Sequence, residues 1–149
     1  MLISVHIAET KCQITINITT TTTITLTPAV GVPLLGWRAV DLSFELAVSQ
    51  GGLPQPGWVF AQALTATLDY TERAATVISD EGQLSLLWWS GASWLPAAEG
   101  CPPPVVARQP TANRLIVGIC RAGWYTLYGP THQQWFPYLM RHYNLERIP

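Results

Sequence analysis

Apolar and polar residues alternate along most of this chain with the two-residue period that is typical of half-buried β-strands. Between Gln13 and Thr27, isoleucines and a leucine fall on even positions, while threonines fill most of the odd ones. Because this register continues through the threonine run, the pattern predicts a long strand that bends or switches between sheets. The same alternation predicts strands over 40–48 and 64–70.

Shorter apolar segments follow, separated by turns rich in glycine, proline and serine. They predict strands at 84–89, 94–97, 105–107, 115–120 and 124–128. A single helical turn is predicted over 71–75, where the helix propensity is fair. Many short strands with almost no helix favour an all-β, antiparallel β-sandwich of about seven to nine strands.

The two ends of the chain differ in character from its middle. We expect an extended N-terminal β arm at 1–27, a β-sandwich domain at 28–130 and a short aromatic C-terminal tail at 131–149. The first eleven residues lack the basic start, apolar core and cleavage site of a signal peptide. Export would therefore need a signal outside this sequence, a different translation start or another route.

Composition narrows the possible classes of protein. Hydrophobic residues make up 48% of the 149 residues and charged residues 11%, whereas a disordered chain needs low hydrophobicity and high charge. No apolar run approaches the roughly 18 residues of a membrane-spanning helix. The formal net charge of −1 gives no electrostatic reason to bind nucleic acid.

Three cysteines allow one disulfide and leave one thiol. We expect the bridge between Cys101 and Cys120, which would close a loop of about 20 residues and contribute roughly 3 kcal/mol in the chain-entropy model. The alternative is a pair of buried free thiols, which are common in protein cores. Cys12 is expected to lie unpaired in or beside a strand.

Three segments occur in an order that resembles a known β-sandwich family. They are Ala63–Tyr70, the Leu-x-Leu-x-Trp-Trp strand and glycine turn of Leu84–Trp94, and the closing Gly-x-Tyr-x-Leu-x-Gly strand of Gly123–Gly129. This pattern is similar to an ectodomain of bacterial exported and cell-surface proteins, distantly like the domain of zona occludens proteins and netrin receptors. The resemblance implies a sandwich fold and an extracellular or cell-surface location.

Some relatives in that family cleave themselves at a His-Phe-Ser turn before the closing strand. At the matching place this chain has Arg121-Ala122-Gly123, so the resemblance implies that self-cleavage is lost. The segment Gln134–Met140 resembles the aromatic endings of exported proteins in some bacterial groups. The alternative for that segment is an apolar C-terminal strand packed on the sandwich.

The residues suited to catalysis or metal binding are few and scattered. The three histidines show no zinc-ligand spacing, and the carboxylates lie mostly alone on polar strand faces or in turns. Asp80-Glu81-Gly82 is interpreted as a solvated turn, with a loop calcium site as the alternative. We therefore expect no enzyme activity, no catalytic residues, no metal and no cofactor, and a small hydrolase is the disfavoured hypothesis.

Aromatic residues are the stronger candidates for binding. Trp88 and Trp89 are neighbours in a predicted strand and point to opposite faces, so one belongs to the core and the other to the outer face. Together with Trp94 they form a candidate aromatic platform for a sugar ring or a protein partner. The alternative is that the arm or the tail partly covers the outer indole.

The N-terminal strand is the second clue to a partner. An unpaired edge strand at 13–27 would invite strand addition or strand exchange with another chain. The alternative is that this strand pairs within its own sheet. Asn17-Ile18-Thr19 matches a glycosylation sequon, although so short a motif occurs by chance. The sequence thus predicts a non-catalytic structural or adhesive module with protein partners or self-association. A carbohydrate-binding module is the alternative.

Overall fold

The computed structural model describes residues 2–7, 12–17, 22–30, 34, 36–101, 104 and 106–131. Within these residues, eleven β-strands form two antiparallel sheets that pack on each other, and one short α-helix lies between two strands. The predicted all-β antiparallel sandwich is therefore confirmed. More strands are present than predicted because the N-terminal segment contributes three and the turn-rich connector at 51–57 contributes one.

In the described part of the chain, the first sheet has the strand order β1, β2, β6, β10 and β9. The bounds are Leu2–Ile7 (β1), Cys12–Asn17 (β2), Val59–Asp69 (β6), Arg114–Arg121 (β10) and Val106–Gln109 (β9). β6 and β10 lie side by side in its interior. Where β10 begins, Arg114 Nε donates to Asp69 Oδ1 at 2.6 Å across this pair.

The second sheet has the order β3, β4, β11, β7 and β8, with the short strand β5 paired to the end of β4. The bounds are Thr22–Pro28 (β3), Trp37–Gln50 (β4), Leu53–Pro54 (β5), Ser85–Trp89 (β7), Trp94–Pro96 (β8) and Gly123–Pro130 (β11). The long strands β4 and β11 therefore carry the interior of this sheet, and β8 is a short edge.

The core lies between the inner faces of the two sheets. Alternate residues of β4, β6, β10 and β11 point into it, as the two-residue period predicts. On these four strands, the large core-facing side chains with almost no exposure include Phe44, Leu46, Leu68, Leu115, Ile119, Tyr125 and Leu127. Phe44 and Tyr125 are direct partners across β4 and β11, and their rings stack with centroids 5.4 Å apart. This pair fixes the register of the two long strands.

The N-terminal segment, which we expected to extend as an arm, folds into strands of both sheets in its described part. β1 pairs with β2, and β2 pairs with β6 in the first sheet, whereas β3 pairs with β4 in the second. The predicted switch between sheets occurs, but the 13–27 strand is divided into two. One strand of that length would span about 50 Å, and each half pairs with a different sheet instead. Residues 18–21 lie outside the described part.

The short helix α1 spans Glu72–Ala75 and confirms the helical turn predicted over 71–75. Thr71 caps it, since its Oγ1 accepts a hydrogen bond from the Ala74 N–H at 3.1 Å. Three 3₁₀ turns complete the described secondary structure, at Glu81–Gln83, Ala97–Gly100 and Pro110–Ala112. Among the residues described, no helix is long and apolar enough to cross a membrane.

Candidate functional site

The β7–β8 hairpin places Trp89 directly opposite Trp94 in the second sheet. In its turn, the Ser90 N–H donates to the Ser93 carbonyl oxygen at 2.9 Å, and the Ser93 N–H donates to Ser90 Oγ at 3.0 Å. Gly91 adopts a φ of +95°, which glycine tolerates because it has no Cβ. The turn therefore fixes both indoles on one face, with ring centroids 5.4 Å apart.

Trp88 points to the opposite face of the sheet, as expected for neighbours in a strand. It pairs with the core residue Tyr125 and packs against the core. The Arg121 guanidinium carbon lies 5.2 Å from the centroid of its ring, a cation–π contact. The structure therefore separates Trp88 from Trp89 and Trp94, the other two residues of the predicted platform.

The outer face of the second sheet, which is the face turned away from the first sheet, is covered at one end. The Trp94 ring contacts the Tyr128 ring edge-on with centroids 5.4 Å apart. Thr126 and Leu87, which are direct partners on this face, are buried, and Tyr128 is 0% exposed. Burial also raises the pKa of the Tyr128 hydroxyl. This end of the face is closed to solvent.

The other end of the outer face is open, and it carries two residues that the sequence analysis did not select. Trp124 and Glu45 are direct cross-strand partners on β11 and β4. Trp124 immediately precedes Tyr125, the partner of Trp88, so the antiparallel register places Trp124 beside Trp89. We call Trp94, Trp89, Trp124 and Glu45 the tryptophan row, because they cross four adjacent strands in one line. Trp124 is 49% exposed and Glu45 is half-buried.

A groove of about 550 Å³ runs along the open end of the outer face. The tryptophan row contributes Glu45, Trp89 and Trp124 to it, and the connector Pro54–Gly57 contributes the opposite wall. That connector is held in place, since the Gln55 N–H donates to the Val48 carbonyl oxygen at 2.8 Å. Of the described residues that line this groove, Glu45 alone carries an ionisable side chain.

A second groove, of about 420 Å³, lies on the other side of Trp88. Its lining includes Arg121 and Glu99, so a cationic and an anionic side chain both line this groove together with Trp88. Arg121 is already engaged by the Trp88 ring. Trp88 is a lining residue of both grooves.

The turn Arg121-Ala122-Gly123 has a structural role. The Ala122 N–H donates to the Trp58 carbonyl oxygen at 2.7 Å, and the Tyr125 hydroxyl donates to the Arg121 carbonyl oxygen at 2.6 Å. Gly123 adopts a φ of +142°, and a Cβ there would lie 2.7 Å from the Trp88 Nε1. The absence of a side chain at Gly123 therefore leaves room for the Trp88 indole to pack against this turn.

The predicted disulfide between Cys101 and Cys120 is present, with the two Cα atoms 5.4 Å apart. Both cysteines are buried. Cys101 follows the 3₁₀ turn between β8 and β9, where the chain passes from the second sheet to the first, and Cys120 lies near the end of β10. The bridge therefore fastens the crossover between sheets to the first sheet.

The Asp80–Gly82 turn uses its carboxylates within the protein. Asp80 caps the 3₁₀ turn, because Oδ1 accepts from the Gly82 N–H at 2.8 Å and Oδ2 accepts from Gln83 Nε2 at 2.9 Å. Glu81 Oε2 accepts a hydrogen bond from the Tyr70 hydroxyl at 2.7 Å. Burial and this hydrogen bond raise the pKa of Tyr70. These hydrogen bonds within the protein account for both carboxylates of the turn.

Other candidates from the sequence lie outside the described residues. They are two of the three histidines, the aromatic segment 134–140 and the last two residues of the sequon at 17–19. Within the part of the chain that the structure describes, no group of three or more His, Cys, Asp or Glu side chains is arranged to hold a metal ion.

Fold and site together define an antiparallel β-sandwich with one disulfide and an aromatic groove on the outer face of one sheet. Comparisons with protein-family models, with curated proteins and with solved structures find no match. The resemblance to bacterial surface ectodomains stays a prediction from the sequence.

Proposed function

We propose that this chain is a non-catalytic structural or adhesive module of an exported bacterial protein or surface assembly. The disulfide Cys101–Cys120 carries the proposal, because disulfides persist in oxidising environments and are rare in the cytosol. The order of the segments between Leu42 and Gly129 supports the same location, since it resembles surface ectodomains.

Protein partners or a second copy of the chain bind through an N-terminal strand in this proposal. β1 stands at the end of the first-sheet order, next to β2. A terminal strand of this kind offers backbone donors and acceptors to an added strand. Light scattering of the full chain tests this part, with a mass above one chain expected at high concentration. A monomer at every concentration would contradict self-association.

Carbohydrate binding is the second candidate function, and one observation favours it. Trp124 is 49% exposed in a groove beside Glu45, and a ligand that covered this indole would gain free energy by removing apolar surface from water. An exposed indole next to a carboxylate suits a ligand with both apolar and hydroxyl surfaces. This function is compatible with an adhesive module.

Measuring where the protein lies in the cell tests the proposal of an exported module. Intact cells that naturally produce this chain are treated with a protease or a non-permeant biotin reagent, and the chain is then detected by antibody. Digestion or labelling on intact cells is expected. Protection in intact cells, with cleavage only after lysis and recovery in the cytoplasmic fraction, would contradict an exported module.

A further inference from the structure

The groove over the tryptophan row combines aromatic faces with one carboxylate. Trp124 and Trp89 supply two indoles, Glu45 supplies hydrogen-bond acceptors, and Gln55 and Ser90 supply neutral polar groups. The described residues of its lining include no arginine and no lysine. Its volume of about 550 Å³ falls within the range of small-molecule sites, although it is open on one side.

We propose that this groove binds a neutral carbohydrate chain, with one pyranose ring stacked on Trp124. The negative face of an indole attracts the polarised C–H groups on the apolar face of a sugar ring. Glu45, the direct cross-strand partner of Trp124, lies where it accepts hydrogen bonds from hydroxyl groups at the edge of that ring. This inference names the ligand of the non-catalytic exported module and so rests on that proposed function.

Charge selects neutral sugars over acidic ones. A uronic acid or a sulfated sugar would place a negative charge beside Glu45, and none of the described residues that line the groove is a cation that could balance it. Like charges brought together in a partly desolvated site cost binding free energy. The groove therefore discriminates against polyanionic glycans through Glu45, the one ionisable group among its described lining residues.

The site is organised before a ligand arrives. Trp124 stands on β11, an interior strand of the second sheet, and Trp89 is fixed by its contact with Trp94. On the other side, the backbone bond from Gln55 to Val48 holds the connector wall. Because few groups have to become ordered, little of the binding free energy is lost on association.

Calorimetric titration of the full chain tests the proposal with named probes. The neutral probes are hexasaccharides of β-1,4-linked glucose and of β-1,4-linked N-acetylglucosamine, and the acidic probe is a hexasaccharide of galacturonic acid. We expect at least one neutral probe to bind and the acidic probe to bind at least tenfold more weakly. Failure of both neutral probes to bind, or equal affinity for the acidic one, would overturn the proposal.

Variants locate the binding within the groove. Trp124→Ala is expected to weaken neutral-probe affinity at least tenfold, whereas Trp124→Phe keeps a ring and loses less. Glu45→Gln is expected to reduce the difference in affinity between the neutral probes and the acidic probe. Val106→Ala is the matched control, because Val106 is 42% exposed on β9 and does not line the groove. Unchanged affinity in Trp124→Ala, with the circular dichroism of the wild type, would overturn this site.

Two further measurements distinguish the failure of the sugar proposal from the failure of the proposed function on which it rests. A proline-rich peptide that binds at Trp124 while both neutral sugars do not would replace the carbohydrate with a peptide and overturn the inference. Surface labelling of intact cells reports on the exported module independently of any sugar. A surface-exposed protein without sugar binding fails only the groove proposal, whereas a cytoplasmic protein fails the parent function whatever the calorimetry gives.

Discussion

At the scale of one residue, backbone conformation and packing explain why a glycine stands at position 123, where β11 begins. The φ of +142° at Gly123 lies in a region that L residues rarely adopt, and Trp88 occupies the space where a side chain would stand. Trp88 in turn lines both grooves. A glycine that looks like an ordinary turn residue in the sequence is therefore required twice, by backbone conformation and by a packed indole.

Replacing Gly123 with alanine is expected to destabilise the fold by roughly 1–3 kcal/mol, from backbone strain together with the clash with the indole. Gly51→Ala is the control, because its φ of +58° is also positive but nothing lies within 4 Å of its added Cβ. Urea unfolding followed by tryptophan fluorescence measures both. A Gly123→Ala loss no larger than that of Gly51→Ala would show that Trp88 does not confine this position.

Buried tyrosines make the stability of the fold depend on pH in the alkaline range. Burial raises the pKa of Tyr70, which also donates to Glu81, and burial raises the pKa of Tyr125. In the unfolded chain these hydroxyls lose their protons near pH 10, whereas the folded protein retains them. The stability that they contribute is therefore complete below about pH 10 and falls as the pH rises above it.

Thermal unfolding between pH 8 and 11.5 checks this dependence. The melting temperature is expected to decline above about pH 10, and Tyr70→Phe is expected to make the decline shallower. Ultraviolet absorbance of the native protein gives a second reading, because the buried tyrosines should ionise later than exposed ones. A decline of equal slope in the wild type and in Tyr70→Phe would contradict the role assigned to Tyr70.

At the scale of elements, the alternating pattern predicted most strands but not their partners. Segment 13–27 has one continuous alternation, yet β2 and β3 belong to different sheets. A strand with one inward face shows the same period in either sheet, so the pattern predicts a strand without specifying its sheet. β1 was not distinguished from the rest of the expected arm.

The same limit applies to the site. The pattern predicted that Trp88 and Trp89 face opposite ways, but it did not assign the faces, because the preceding Leu86 and Leu87 are both apolar and both buried. Trp124 and Glu45 were missed for a different reason. They are far apart in sequence and become neighbours only through the register of β4 with β11, which local periodicity does not contain.

Ser90 is expected to hold the β7–β8 hairpin and hence the position of Trp94. Ser90→Ala removes the acceptor for the Ser93 N–H and a donor to the Ser93 carbonyl oxygen. The expected loss is about 1 kcal/mol, as for a typical hydrogen bond, with faster amide exchange confined to 85–96. Ser93→Ala is the matched control, since it keeps both bonds between Ser90 Oγ and the Ser93 backbone and removes only the 3.4 Å contact between the two hydroxyls. Equal effects of the two variants would contradict this account of the turn.

At the scale of the whole molecule, the disulfide joins parts that the sheets alone leave separate. The crossover from β8 to β9 connects the two sheets, and Cys101–Cys120 fastens it to β10. The bridge closes a loop with a sequence separation of 19, which restricts the unfolded chain. The same bond is also the feature from which an oxidising location is proposed.

The double substitution Cys101→Ala with Cys120→Ala is expected to reduce stability by roughly 3 kcal/mol, which corresponds to about 6–12 °C in the melting temperature of a domain of this size. Adding reductant should lower the melting temperature of the wild type but leave that of the double variant unchanged. A double variant as stable as the oxidised wild type would show that the bridge contributes nothing to stability.

The central claim is that this chain is an exported, disulfide-closed module, and the redox state of its cysteines in the cell tests that claim most directly. Cells that naturally produce the chain are quenched in acid, free thiols are alkylated, and the peptides containing Cys101 and Cys120 are analysed by mass spectrometry without reduction. We expect the two peptides to be recovered joined, from protein outside the cytoplasm. Recovery of both cysteines alkylated, from protein in the cytoplasmic fraction, would contradict the account.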